Sequence, residues 1–144
     1  MAMLLQAILL AGTISAADQA ADEATFAADD PYTLAAYYFP NYHEDQRNVS
    51  YFEEGWTEWK LVKEAQARFP NHHQPNIPAW GYTDEADPVQ MAQKIKAAAD
   101  HGIDVFIFDW YMYEDGPFLE RGLEEGFLKA ENSELLKFGL MWAN

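Results

Sequence analysis

Residues 104–118, DVFIFDWYMYEDGPF, constrain the fold more than any other stretch of this chain. Val105, Phe106, Ile107 and Phe108 are consecutive, apolar and β-prone. A strand that does not alternate apolar with polar residues has both faces covered, as in a parallel sheet flanked by helices. The preceding segment reads as the crossover helix. Asp87 suits a cap and Pro88 the first turn, MAQKIKAAAD carries the helix to residue 100, and Gly102 stops it. Val89, Ala92, Ile95, Ala98 and Ala99 recur at helical spacing and form its expected buried face.

The rest of the chain fits the same alternation. Residues 33–40, TLAAYYFP, predict a strand closed by Pro40. Residues 40–87 are long and irregular, with one helical piece over 57–67. Gly116-Pro117 opens a second helix, with Leu119, Leu123 and Phe127 on one face. Residues 137–142, KFGLMW, predict a third strand. The order β, long loop, α, β, loop, α, β predicts an α/β fold with a parallel sheet.

Parallel α/β sheets bind ligands at the C-terminal ends of their strands. Tyr37 and Tyr38, Asp109 with Trp110, Tyr111 and Tyr113, and Trp142 with Asn144 fall at such ends. An Asp after a strand is commonly a helix cap or turn residue. Asp109 is followed by three aromatic residues before any turn signal, so a ligand-facing role explains it better. His72-His73 does not make a metal site, because adjacent His side chains rarely share one ion and no second ligand cluster has metal spacing. His101 reads as a helix C-terminal residue. There is no Gly-rich phosphate loop, nucleophile elbow or nucleotide fingerprint.

Composition narrows the ligand. The 144 residues carry a formal net charge of −15, which disfavours nucleic acid and anionic membrane as partners. Aromatic residues make up 15%, including five Trp and eight Tyr, enough to serve both a core and a stacking surface. With no cysteine there is no disulfide framework and no thiolate chemistry. Residues 3–17, MLLQAILLAGTISAA, have signal-peptide length and a small-residue cleavage site near Ala16, but no leading Lys or Arg. They are too short to span a bilayer. Residues 17–30 read as an acidic, Ala-rich linker. Residues 1–30 are thus expected to be leader and linker, and 31–144 the domain. The protein is secreted or periplasmic if that signal operates and cytoplasmic otherwise. Asn48-Val49-Ser50 matches a glycosylation acceptor.

Five motifs occur in order: YYFPNYH at 37–43, GWTEW at 55–59, FPNHHQPNIPAWGY at 69–82, HGIDVFIFDWYMY at 101–113 and LMWAN at 140–144. Together they resemble the glycoside hydrolase family 99-like, or WbsX-type, domain, from about Leu34 to Asn144. His73 stands where an aromatic residue is common, and Met112 interrupts an otherwise aromatic run. The resemblance implies a (β/α)₈ barrel acting on carbohydrate, without metal or other cofactor. The better-known relatives are retaining, endo-acting enzymes on α-mannosides that use the substrate 2-hydroxyl as internal nucleophile, through an anhydro-sugar. Other WbsX-type members are associated with polysaccharide and O-antigen biosynthesis, sometimes as glycosyltransferases.

On that resemblance the substrate-binding set is Tyr37, Tyr38, His43, Glu58, Trp59, His72, Gln74, Asp109, Trp110, Tyr111, Trp142 and Asn144. Rings stack on sugar faces; carboxylates, amides and imidazoles bond hydroxyls. A full barrel takes about 250 residues and eight strands, so three strands read as its N-terminal portion. The catalytic carboxylate pair is expected beyond Asn144, with Glu58 and Asp109 the candidates inside the chain. A glycoside hydrolase on poly- or oligosaccharide is the expected activity. A glycosyltransferase and a non-catalytic glycan-binding module are the alternatives.

Overall fold

The computed structural model describes residues 32–143. The leader, the acidic linker and Asn144 lie outside the described residues. Strand β1 (Ala35–Tyr38) leads into two short helices, α1 (Gln46–Tyr51) and α2 (Trp59–Glu64). Then come α3 (Pro88–Asp100), β2 (Val105–Tyr113), β3 (Gly116–Phe118), a π-helical turn (Gly122–Phe127), a 3-10 turn (Ser133–Leu135) and β4 (Lys137–Ala143). Strand β2 is central, pairing in parallel with β1 on one side and β4 on the other. The fold is α/β with a parallel sheet, as expected.

Helix α3 begins and ends as its sequence dictates. The Asp87 carboxylate accepts from the Val89 amide at 2.8 Å, and Pro88 occupies the first turn. Its buried face is the expected one at Ala92, Ile95, Ala98 and Ala99, but not at Val89. Met91 and Ile95 are fully buried, whereas Val89 is 78% exposed. Met91 stands one turn before Ile95 and continues the stripe that Val89, two residues earlier, points away from.

The segment after β2 departs from expectation. Gly116-Pro117 does not open a helix. It forms β3, antiparallel to the far end of β2, with Tyr111 opposite Phe118 and Tyr113 opposite Gly116. Gly116 has φ of +128°, which a side chain would oppose. Strand β2 therefore runs on to Tyr113, beyond the expected strand IDVFIFDW over 103–110. The helical character appears later, in the π-helical turn, where Leu123 and Phe127 are buried as expected, together with Leu119 just before it. Leu119 takes φ of +64°, and its amide donates to the buried Asp45 carboxylate at 3.1 Å.

One core lies between the sheet and the α3/π-turn layer: Met91, Ile95, Phe106, Phe108, Leu123, Phe127, Ala130 and Leu136. Phe108 is edge-on to Phe127 at 5.5 Å, and Tyr38 packs on Phe106 and Phe108 at 4.8 and 4.9 Å. Burying a ring such as Phe108 contributes about 1.5–3 kcal/mol. Two glycines let the π turn come close. A Cβ on Gly126 would overlap the Glu85 carbonyl oxygen, and one on Gly122 would stand 2.7 Å from the Pro40 Cβ.

Candidate functional site

Strand parity divides the predicted residues between two faces. Ala36, Tyr38, Phe106, Phe108 and Trp110 pack on or within the core. In parallel register, Trp142 stands opposite Trp110 and shares that face. Tyr37, Ile107, Asp109, Tyr111 and Met141 belong to the other face. The sheet thus brings Tyr37, Asp109 and Tyr111 together and places Tyr38 and Trp110 on the far side. Tyr37 is 76% exposed. Asp109 is half-buried, with no ion-pair partner among the described residues. Its charge is felt at Tyr111, whose hydroxyl pKa is raised by burial first and by the Asp109 carboxylate next. Tyr113 continues the row, with the Arg47 guanidinium 4.3 Å from its ring centroid.

Above β1, the loop over 39–87 is held by a buried carboxylate that the sequence did not single out. Glu85 accepts from the Tyr38 hydroxyl at 2.6 Å, the Lys94 ammonium at 2.7 Å and the Tyr42 amide at 2.9 Å. The Tyr38 hydroxyl pKa is pushed well up, by burial first and then by the Glu85 charge. Tyr38 is therefore tied into this clasp rather than presented outward. A second chain of bonds runs from the Asn48 amide to Asn41 at 2.8 Å, and from the Asn41 amide to Glu58 at 2.7 Å. Asn48 is buried, so the matching acceptor triplet is no accessible glycosylation site.

Trp59 donates to the Thr83 carbonyl at 2.7 Å and packs between Tyr42 and Tyr82, with centroids at 4.1 and 5.4 Å. His72 sits in its own turn, stacked on Phe69 at 4.5 Å and accepting from the Arg68 amide at 3.2 Å. The Gln74 side chain lies 3.5 Å from its other nitrogen. His43 is fully buried under Gly122, and neither ring nitrogen has a partner. Burial lowers its pKa, and Arg121 adds to that; Glu85, Asp45 and Asp84 oppose it.

The chain matches the family described as Glycosyltransferase WbsX over residues 34–144. It belongs to the WbsX family. It is also 33% identical over 115 residues to WxcX of Xanthomonas campestris pv. campestris, described as an uncharacterized protein, in strain B100 and in a second strain. That alignment covers 79% of this chain and 16% of the relative, so the chain spans about one sixth of the length of the curated relatives it matches. No solved structure matches.

Every described residue of the site lies inside the WbsX match, from Tyr37 on β1 to Trp142 on β4. The family is a carbohydrate-active one, and the uncovered face has the groups such a role needs. It pairs a half-buried carboxylate with phenol rings, on a sheet whose far side is packed. Among the described residues no helix is long and apolar enough to cross a membrane, and no cluster of three or more acidic, His or Cys side chains is placed to hold a metal. Asn41, Glu85, Lys94 and Arg47 escaped sequence reasoning. Each gains its role from a partner on another element, and TDEAD at 83–87 reads locally as a polar loop.

Proposed function

We propose that this chain is the N-terminal part of a WbsX-family barrel that hydrolyses glycosidic bonds in a poly- or oligosaccharide, with the α-mannoside type as the first substrate to test. The observation that carries the reading is the face shared by Tyr37, Asp109 and Tyr111 at the C-terminal half of a parallel sheet. Carboxylate and ring faces side by side match a sugar, whose hydroxyls seek acceptors and whose C–H faces seek rings. Strands β1, β2 and β4 follow one another across the sheet in chain order, which is how a (β/α)₈ barrel winds.

Glycoside hydrolysis ordinarily takes two carboxyl groups across the scissile bond. Asp109 supplies one carboxylate to the substrate here. Glu58 is spent on Asn41 and acts as a positioning residue for the loop. The catalytic pair comes from elsewhere in the intact protein.

The family description favours a second reading, transfer from an activated donor. One assay separates the two. The intact protein is incubated with an α-mannan, with and without nucleotide sugars. Release of reducing ends without donor supports hydrolysis; donor consumption with chain extension, and no release, supports transfer. Binding without either would make this a glycan-binding module.

A further inference from the structure

Strand β2 outruns its neighbours. Among the described residues, its pairing with β1 ends at Phe108 and its pairing with β4 ends at Tyr111. Beyond that point Met112 and Tyr113 pair only with β3, a strand of three residues. A two-stranded ribbon is marginally stable at best by itself in water. Yet this ribbon carries Tyr111 and Tyr113, which share the face of Asp109. Its position has to be fixed from outside the sheet.

The first turn of α1 does so. The Arg47 guanidinium donates to the Asp115 carboxylate at 2.5 Å and lies 4.3 Å from the Tyr113 ring centroid. Asp115 is 72% exposed, so the ion pair alone contributes little. The planar guanidinium on the ring adds what a point charge would not. Asp45, the buried N-cap of α1, grips the other end of the ribbon, accepting from the Leu119 amide just after β3. The φ of +64° at Leu119 is a conformation that persists only where its surroundings impose it. Helix α1 is anchored in turn, from Asn48 through Asn41 to Glu58.

From Tyr113 the contact passes back along the ribbon. Phe118 touches both rings, with centroids 6.3 Å from Tyr113 and 5.6 Å from Tyr111. Displacing Tyr113 therefore loosens Phe118 and then Tyr111. A strand rises about 3.3 Å per residue, so Tyr113 stands about 13 Å along β2 from Asp109. A sugar unit seated on Asp109 does not reach that ring, which meets a later unit of the same glycan.

We propose that Arg47 is a positioning residue for glycan length. By clamping the β2–β3 ribbon to α1, it holds the Tyr111 and Tyr113 rings where they stack on sugar units beyond the one at Asp109. The site thereby favours an extended glycan over a short one. This rests on the carbohydrate reading above and assigns the residue that selects substrate length.

The test compares the intact wild type with Arg47→Gln and Arg47→Lys. The first readout is nitration of tyrosine rings without ligand, followed residue by residue by peptide mass spectrometry, with Tyr37 as the internal reference. The second is calorimetric binding of α-linked di- and pentasaccharides of mannose, glucose and galactose. In both variants nitration at Tyr113 and Tyr111 should rise relative to Tyr37. The gain in affinity from two units to five should fall about fivefold, as expected for loss of a cation on a ring. Arg47→Lys keeps a charge for Asp115 but has no plane to lay on Tyr113, so it should recover Tm without recovering that gain. Unchanged nitration, equal weakening at both lengths, or full recovery by Arg47→Lys overturns the proposal. If the wild type binds and the gain persists in the variants, the role of Arg47 falls and the carbohydrate reading stands. If the wild type binds none of the oligosaccharides, both fall together.

Discussion

Asp109 and His43 carry their surroundings in opposite ways. Asp109 is a half-buried carboxylate with no ion-pair partner among the described residues, on a face that β-strand parity separates from the core. Asp109→Asn keeps its shape and removes a charged acceptor whose hydrogen bonds are worth about 1.5–3 kcal/mol. In the intact protein kcat/KM on a glycan substrate is expected to fall about 10- to 100-fold, with Tm unchanged. An unchanged kcat/KM with a large fall in Tm would make Asp109 structural. His43, in contrast, is buried and neutral, its pKa lowered from the ordinary 6.5 chiefly by burial. The unfolded chain binds the proton more readily, so stability is full above about pH 6.5 and is lost as pH falls from there through the lowered folded value. Melting curves between pH 7 and 5 should show a steeper decline for the wild type than for His43→Gln. Parallel declines would remove His43 from the acid response.

At the scale of elements, two close contacts fasten the loop over 39–87 to the layer that covers the sheet. One is the Glu85 clasp, which joins β1, the loop and α3 through Tyr38, Tyr42 and Lys94. Glu85→Ala leaves the half-buried Lys94 ammonium and the Tyr38 hydroxyl without their acceptor and is expected to cost about 3 kcal/mol in urea unfolding. The other is the glycine pair of the π turn. Gly126→Ala places a methyl against the Glu85 carbonyl, a backbone group that cannot step aside, so a loss of about 1–3 kcal/mol is expected. Gly139→Ala is the control, since a Cβ there meets nothing within 4 Å. Equal Tm values for the two alanine variants would mean that the π turn has room to shift.

For the molecule as a whole, the parallel sheet has two outer strands, β1 and β4, among the described residues. Strand β4 presents Phe138, Leu140, Met141 and Trp142 at 36–62% exposure. A long, flat, apolar edge strand invites pairing with another chain. The segment 31–144 produced alone is therefore expected to self-associate in sedimentation, and Leu140→Lys to shift it towards monomer. A monodisperse monomer at high concentration would show that β4 needs no cover.

Some of this architecture was legible because its causes are local. The Phe106–Phe108 run, the Asp87 cap, Pro88 and Gly102 each act through neighbours a few residues away, so β2 and α3 follow from the chain itself. So did the WbsX resemblance; Asp109, expected at a strand end, lies within β2. Expectation failed where a longer-range contact outvoted local preference: Val89 lost the buried face to Met91, and Gly116-Pro117 joined β2 as a strand instead of starting a helix. Only the tertiary structure decided which Tyr of the pair Tyr37 and Tyr38 faces the core, because β-strand side chains alternate and a one-residue change of register exchanges the two. It also decided that Glu85, 47 residues from Tyr38 and 43 from Tyr42, would hold them both. A buried carboxylate is set by the donors that converge on it in space, and no spacing along the chain encodes that convergence.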